Sequence, residues 1–435
     1  MTAPDLFEEA RGRPAGDSLW HNKDFRRLWG GETLSQLGSQ VSTVAIPLTA
    51  ISALHAGPTT VGLLATAQYL PVLLISPLAG AWLDTHRRRP VLIAAHLGRT
   101  VLTALIPLAY VLDALSTWLL LVVVLANGTL SAVFDIGYVT YLPSLVPARR
   151  LAGANARLEA TYSIAGAGGP GIGGMLVQWL TAPLAVLADS VTYLLAAVLG
   201  MRIRHREPEP EPPLPGSRSP WRALREGLSV IWKSPVLRPT LVQSAAFNLL
   251  GQIAFTLFLL YGVRELHLSS GTLGVVLSIA SLGGLAGAVL AGAAARRLGI
   301  GRAMVLSMTA GSLALGAIPA VRGEDTAVTV TVLVAGLLLH ELGLAVFNVH
   351  SLSLRARLIP DALFGRATAG WRLVSNGTLP LNGVLAGLLG AIFGVRWAIA
   401  IALAVLALFC LAYLLSPVRS LRESDIPSGT TAAKG

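Results

Sequence analysis

The feature that most constrains this chain is a rhythm. Apolar stretches of about 20 residues, enough to cross a bilayer as a helix, alternate with short connections, and every second connection is basic. THRRR (85–89), PARR (147–150), RIRHR (202–206), ARRLGIGR (295–302) and RAR (355–357) fall on one set, while the other offers only Arg264, Arg322 and Arg396. In lipid, backbone polar groups must find partners within the protein, so single apolar runs of this length become helices. Twelve spans are expected, near 27–52, 60–83, 90–112, 117–141, 152–180, 184–201, 240–263, 272–295, 303–321, 327–349, 366–392 and 396–415. The positive-inside rule places the basic connections and both termini in the cytoplasm.

Composition agrees. Charged residues make up 13% of the 435 and hydrophobic ones 54%, against about 25% charged in soluble proteins. The net charge of +11 is spread loop by loop, with no nucleic-acid motif, so the expected surroundings are the lipid bilayer and not nucleic acid. Arginine outnumbers lysine 30 to 3, which reads as the coding bias of a GC-rich bacterium and points to a bacterial inner membrane. Cys410, the lone cysteine, excludes a disulfide framework and a cysteine metal site. His340-Glu341 is followed by Leu-Gly-Leu, not by the second histidine of H-E-x-x-H, and no Walker A motif occurs. No metal, no cofactor and no enzymatic activity are expected. The first 24 residues are polar, without the separate apolar core of a cleaved signal peptide.

The expected organisation is an N-terminal tail (1–24), a six-helix bundle (25–201), a linker (202–239), a second six-helix bundle (240–415) and a C-terminal tail (416–435). The linker opens with the proline-rich RIRHREPEPEPPLPG. WRALREGLSVIWK then sets Trp221, Leu224, Leu228 and Ile231 on one helical face, which predicts an amphipathic helix on the inner leaflet, with a soluble linker helix as the alternative. A shift of about 212 residues brings GAWLDTHRRR (80–89) onto GAAARRLGIGR, VPARRLAGANARL onto IPDALFGRATAGW, and SQLGSQV onto FNLLGQI. Duplicated bundles joined by a cytoplasmic linker are the plan of carriers that rock two halves around a midplane site.

GAGGPGIGG (166–174) interrupts the fifth span with six glycines and a proline. Each glycine costs about 0.8–1 kcal/mol in a water-exposed helix, but in a membrane small residues let a neighbouring helix approach closely. Two ridges follow: Ala165, Gly169, Gly173, and Gly166, Pro170, Gly174. Pro170 removes one backbone bond and favours a kink.

From about Phe25 to Ser416 the sequence resembles a twelve-helix transporter of the major facilitator superfamily. Within it, FDIGYVTYLPSLVP (134–147) and ANARLEATYSIAGAGGPGIGG (154–174) resemble the branch of bacterial macrolide-efflux and enterobactin-exporter-like proteins. The implied fold is an all-α membrane protein of two pseudo-symmetric six-helix bundles. Gly169, Pro170, Gly173 and Gly174 match the superfamily's antiporter motif G-P-x-x-G-G, which implies a surface that slides against the other half and favours export. GAWLDTHRRRP resembles the gating loop G-x-x-x-D-R-x-G-R-R: Gly80 would allow close helix contact, Asp84 would latch across the halves, and Arg87, Arg88 and Arg89 supply the bases. Thr85 and Arg87 depart from that pattern.

An ionisable group inside the membrane costs about 2.5–3.5 kcal/mol even on gentle scales, so it marks a partner or a water-filled cavity. Glu32 shares a helical face with Gln36, Gln40 and Thr43, and Asp135 shares one with Asn127, Ser131 and Tyr138. In the superfamily the first and fourth spans border the cavity. Asp135 and Glu32 are therefore the proton-coupling candidates; a structural hydrogen-bonding role near a helix end is the competing account of each. Asn248, Gln252 and Asn382 are polar positions of the second-half cavity. His340 and Glu341 point about 100° apart, so only one faces the cavity easily. Arg372 with Asn376 could meet an anionic substrate, although snorkelling explains Arg372 equally well, and Arg99 too. Asp189 could pair with an arginine; Arg157 and Glu159 suit ion pairs or headgroups. The arginine that other drug exporters carry on span four is absent from ANGTLSA.

The expected function is proton-coupled antiport by a monomer, exporting a small amphipathic molecule such as a drug, antibiotic or secondary metabolite by alternating access, which would confer antibiotic resistance. The alternative is a proton-coupled importer (symporter) of a small solute.

Overall fold

The computed structural model describes residues 19–83, 85–205, 207 and 220–421. Asp84, the acid of the gating loop, lies outside the described residues, as do most of both tails and most of the proline-rich linker.

The described chain is helical throughout, with no strand among the described residues. Six helices come first: α1 (Lys23–Leu48), α2 (Pro58–Leu83), α3 (Arg88–Val111), α4 (Thr117–Leu145), α5 (Leu151–Leu180) and α6 (Ala182–Met201). The linker helix α7 (Pro220–Lys233) follows. Then come α8 (Leu237–Arg264), α9 (Ser270–Leu298), α10 (Ile300–Ala320), α11 (Thr326–Leu358), α12 (Asp361–Phe393) and α13 (Val395–Leu414). Four helix starts among the described residues carry a side-chain cap, at Asn22, Ser116, Ser269 and Asp325, each giving an orphan N–H a partner. Asn22 Oδ1 accepts from the Asp24 and Phe25 amides at 3.0 Å each, and Asp325 Oδ1 accepts from Ala327 at 2.8 Å and Val328 at 3.1 Å.

Ten of these helices are long and apolar enough to cross a membrane. α1 and α5 are just as long, at 26 and 30 residues, but serine, glutamine and glycine dilute their hydropathy. Both owe this to position, since each packs on other helices and lines the interior. Around the ten, large apolar side chains face outward, Val289 at 83% exposure the most open of them, and exposed tryptophans sit at both ends of the bundle. Trp118, Trp179 and Trp397 mark one end; Trp20, Trp82 and Trp232 mark the end of the basic loops. That double belt belongs at two membrane–water interfaces. The chain is a multi-pass membrane protein.

Helix α8 contains a π turn at Phe247–Gly251, and α12 is broken at Gly377–Thr378. Three helix pairs are joined by a single residue at positive φ: Thr181 (101°), Gly299 (82°) and Gly394 (82°). The apolar core is not shared evenly. One cluster unites the second half with the parts of the first half remote from the basic loops (Val44, Leu48, Leu120, Val186). A separate cluster of the first half lies at the basic end (Phe25, Leu92, Tyr141, Leu145, Ile203). Among the described residues, the apolar core shared by the two halves lies at the end away from the basic loops.

The linker helix corrects one expectation. Its apolar side does not lie free on a leaflet but is taken up by protein: Ile231 is fully buried, Gly227 meets the Arg366 backbone, and Gly370 of α12 faces Leu228. Arg366 Nη1 donates to Glu226 Oε2 at 2.9 Å across the same contact. The side chain of Trp221 lies outside the described set.

Candidate functional site

A cavity of about 700 Å³ lies between the halves. Its N-terminal wall carries Gln36 and Gln40 (α1), Arg99 (α3), Asn127 and Asp135 (α4), and Asp189 and Tyr193 (α6). Its C-terminal wall carries Gln252, Phe255 and Thr256 (α8), Glu341 (α11) and Asn382 (α12), with Asn382 Oδ1 accepting from Thr256 Oγ1 at 3.2 Å. Asp135 is open to the cavity and Glu341 half-buried in its wall. Each half thus presents one accessible carboxylate to the same space, amid the rings of Tyr69, Tyr162, Phe255 and Phe258.

Nine positions expected from sequence meet in this cavity: Gln36, Gln40, Thr43, Asn127, Ser131, Asp135, Gln252, Glu341 and Asn382. Glu32 does not reach it. It sits in a small separate pocket with Arg27, Arg89 and His96. Its Oε1 accepts from Gln36 Nε2 at 2.7 Å, while Oε2 has no partner. Tyr138 is outside the lining as well, its ring stacked 5.8 Å from that of Phe134. Asn248 is turned aside: its Nδ2 donates to Ser375 O at 2.9 Å and Ser375 Oγ at 3.1 Å. It also reaches Asn376 Oδ1 at 3.5 Å, tying the π turn of α8 to the break in α12. Arg372 and Asn376 are exposed and do not line the cavity.

The adjacent His340 and Glu341 divide as their 100° offset requires. Glu341 takes the cavity. His340 is buried toward α10, donating from Nδ1 to Gly311 O at 2.9 Å, with its ring stacked on Phe247 at 5.3 Å.

Arg99 departs from the expectation that it snorkels. It lies eleven residues into α3 from Arg88, about 16 Å along the axis at 1.5 Å per residue, too deep for its head to reach an interface. It is 7% exposed and donates to the Tyr193 hydroxyl and to Ser39 Oγ at 3.5 Å. Its guanidinium carbon stands 3.9 Å from the centre of the Tyr193 ring. The sequence signal for this site was the depth of an arginine within an apolar run.

The glycines of α5 serve two neighbours. The ridge of Gly169 and Gly173 faces α1 of the same half, where a Cβ on Gly173 would stand 3.1 Å from Val41 Cα. Only the ridge of Pro170 and Gly174 meets the other half. There a Cβ on Gly174 would come within 2.5 Å of Ser270 O and 2.9 Å of Gly274 Cα. The Gly171 amide donates to Ser278 Oγ at 2.7 Å beside it. An equivalent seam joins α2 to α12, where Thr66 Oγ1 donates to Pro380 O at 3.0 Å and Gly62 packs on Gly383 and Gly387. Gly62 and Gly274 are 212 residues apart, so the two seams are copies related by the repeat. Both lie at the end away from the basic loops.

Arg88 and Arg89 of the gating loop are tied to the end of α6 and the start of the linker. Arg87 precedes α3 as its N-cap residue. Arg88 Nη1 stands 3.9 Å from Glu207 Oε1, the Arg89 amide donates to Glu207 Oε2 at 2.9 Å, and Arg89 Nη2 donates to Met201 O at 2.7 Å. A Cβ on Gly80 would meet nothing within 4 Å, so the close helix contact expected there is absent from this conformation.

Two six-helix bundles related by a repeat, enclosing one central cavity and sealed at one end by small residues, define a membrane carrier. The family model of the Major Facilitator Superfamily matches residues 28–327 and 244–433, and the chain belongs to that family. It is 26% identical over 402 residues, 92% of this chain and 94% of the relative, to the MFS-type transporter y4rN of Sinorhizobium fredii. Among solved structures it is similar to a mutant form of the nucleoside transporter NupG, with a TM-score of 0.73 at 11% identity over 90% of this chain and 99% of that one. It is also similar to a bacterial homologue of the iron transporter ferroportin in its inward-facing state, with a TM-score of 0.69 at 20% identity over 93% and 100%. The protein is a membrane transporter of the MFS type.

Proposed function

We propose that the chain exports a small amphipathic molecule from the cytoplasm in exchange for protons. The observation that carries this reading is the pair Asp135 and Glu341, one carboxylate from each half facing one aromatic- and amide-lined cavity. A carboxylate so placed can take a proton from one side and release it on the other, and each charge moved is worth about 2.3 kcal/mol per 100 mV. The sealed seams support loading from the cytoplasm. With the basic loops inside, they close the outer face and leave the cavity to be filled from within. The G-P-x-x-G-G helix at one of these seams and the resemblance to macrolide- and siderophore-exporting relatives favour the outward direction. A bacterial inner-membrane location, cytoplasmic termini and action as a monomer complete the proposal.

The test uses inverted vesicles carrying the wild type, Asp135→Asn or Glu341→Gln under an imposed proton gradient, challenged with a macrolide, a cationic dye and a catecholate. Substrate-driven proton release that disappears in Asp135→Asn supports exchange and names a substrate class. Equal substrate accumulation in both variants makes the carboxylates structural. Silence of the wild type toward all three, with uptake detected in right-side-out vesicles, reverses the direction.

A further inference from the structure

The wall of the N-terminal half holds a buried cation whose hydrogen-bond partners are neutral. Arg99 is satisfied by the Tyr193 hydroxyl and Ser39 Oγ and lies on the Tyr193 ring, while its Nε has no partner. Taking a guanidinium out of water costs several kcal/mol unless an opposite charge stands close. The titratable groups that act on it electrostatically are Glu32 from α1, His96 from α3 itself, Asp135 from α4, and Asp189 and Tyr193 from α6. Three carboxylates thus act on one arginine, none of them in direct ion-pair contact with it.

They are not equivalent. Glu32 is held by Gln36 in a pocket of its own. Asp135 opens on the cavity, where water screens it. Asp189 is 1% exposed, yet it belongs to the cavity wall, and its Oδ1 has no hydrogen-bond partner. It stands four residues before Tyr193, so the two share one face of α6. The helix opposite packs closely here: a Cβ on Gly38 of α1 would strike Thr192 Oγ1 first and would stand 2.8 Å from Asp189 Oδ1 and 3.0 Å from Asp189 Cα. The Asp189 carboxylate and the Thr192 hydroxyl together fill the space that any side chain at position 38 would take.

We propose that Asp189 is a proton-exchanging carboxylate of the transport cycle, with Arg99 and Tyr193 as the residues that position it; this rests on the proton-exchange function proposed above. Ionised, Asp189 is the counter-charge of Arg99. A proton delivered by cavity water forms an O–H bond on the carboxylate and cancels that charge. Arg99 is then held by the face and hydroxyl of Tyr193, which support a cation without neutralising it. When the cavity turns to the other side, the O–H bond breaks, the proton passes to water, and the negative charge near Arg99 is restored. Stacking on Tyr193 gives the arginine a seat in both protonation states.

The deciding experiment is an infrared pH titration of the purified full chain in liposomes, following the carbonyl stretch of protonated carboxyl groups. The wild type should show a titrating band that is lost in Asp189→Asn. Arg99→Gln and Gly38→Ala, which leave the carboxyl in place but alter its surroundings, should move the pH at which that band appears. A band unchanged in Asp189→Asn overturns the proposal. Should that variant not assemble, an unmoved band in Gly38→Ala overturns it instead. Inverted vesicles given ethidium, a macrolide or a catecholate as probe separate the two levels. If wild-type vesicles release no protons on addition of ethidium, a macrolide or a catecholate, the exchange function fails. If they do and Asp189→Asn releases them equally, Asp189 alone is dismissed.

Discussion

A methyl group at Gly174 should tip the carrier from one conformation to the other. In the conformation described here that Cβ would stand 2.5 Å from Ser270 O, about 0.9 Å inside the 3.4 Å at which ordinary van der Waals contact begins. Its other neighbours, Gly274 Cα at 2.9 Å and Gly274 N at 3.1 Å, are backbone atoms too, so no side chain can swing aside. The helices must part, and overpacking of this kind costs about 1–3 kcal/mol. The contact joins the two halves, so it exists only while this end is shut, and the opposite conformation is spared the penalty. A bias of about 1–3 kcal/mol corresponds to about a 5- to 150-fold change in the ratio of the two conformations.

Two other glycines of α5 supply controls. A Cβ on Gly168 would meet nothing within 4 Å, so Gly168→Ala should change nothing. A Cβ on Gly173 would press on Val41 of its own half at 3.1 Å, so Gly173→Ala should lower stability in both conformations without favouring either. The assay is the rate at which a membrane-impermeant maleimide labels a cysteine placed at Gln252, compared from the two sides of sealed vesicles. The one native cysteine, Cys410, is buried. Labelling should rise from the side away from the basic loops in Gly174→Ala alone. If Gly174→Ala labels like Gly168→Ala, the seam between α5 and α9 does not hold this end shut.

Other substitutions probe single contacts. Glu207→Gln removes a carboxylate that accepts from the first turn of α3 and sits 3.9 Å from Arg88; with its side chain almost fully buried, it should cost about 1.5–3 kcal/mol, read as a fall in thermal unfolding temperature. Arg366→Ala breaks the pair with Glu226, but both side chains are more than a third exposed, so unfolding should shift by no more than about 1 kcal/mol. Thr181 adopts φ 101° and ψ 156°, a region natural to glycine, and the repeat places Gly394 at the same turn of the second half. Thr181→Gly should therefore stabilise the protein by about 1–3 kcal/mol, whereas Gly394→Thr should destabilise it.

Much of the architecture was legible because hydropathy and charge are local properties. The spans, the basic connections and the repeat are visible as runs and spacings. The interior was less legible, and the reasons are specific. Asn248 and Gln252 are four residues apart and would share a face in a regular helix. The π turn at Phe247–Gly251 inserts an extra residue between those faces, so Gln252 looks into the cavity and Asn248 toward α12. The break at Gly377–Thr378 similarly separates Arg372 and Asn376 from Asn382, which does reach the cavity. Glu32 lies on the face expected of it, one turn before Gln36, but beyond the cavity. Periodicity gives the direction of a side chain and not the depth at which a cavity stops. Arg99 is the converse case, since a mid-helix arginine in lipid must have a built seat, and Tyr193 provides it.

The repeat also bears on how the halves move. The α5–α9 and α2–α12 seams are copies of one contact, both at the same end and both made of glycine backbone with one or two hydroxyl hydrogen bonds. Beside the glycine contacts, Gln178 lies against Gly271 at one seam and Pro58 against Gly390 at the other. A rocking motion that opens this end parts both at once, breaking the Ser278 and Thr66 bonds in the same stroke. Each such bond is worth about 0.5–1.5 kcal/mol net. Reversing a two-state population from 1:99 to 99:1 takes about 5.5 kcal/mol of differential binding. The hydrogen bonds of the two seams are small against that figure, so they do not by themselves hold the carrier in one conformation. Adding a bulky apolar residue at either seam should therefore impair transport even where substrate still binds. Gly62→Leu, remote from the cavity carboxylates, is the substitution in which binding and transport should come apart, and equal loss of both would show that the seam shapes the site instead of the motion.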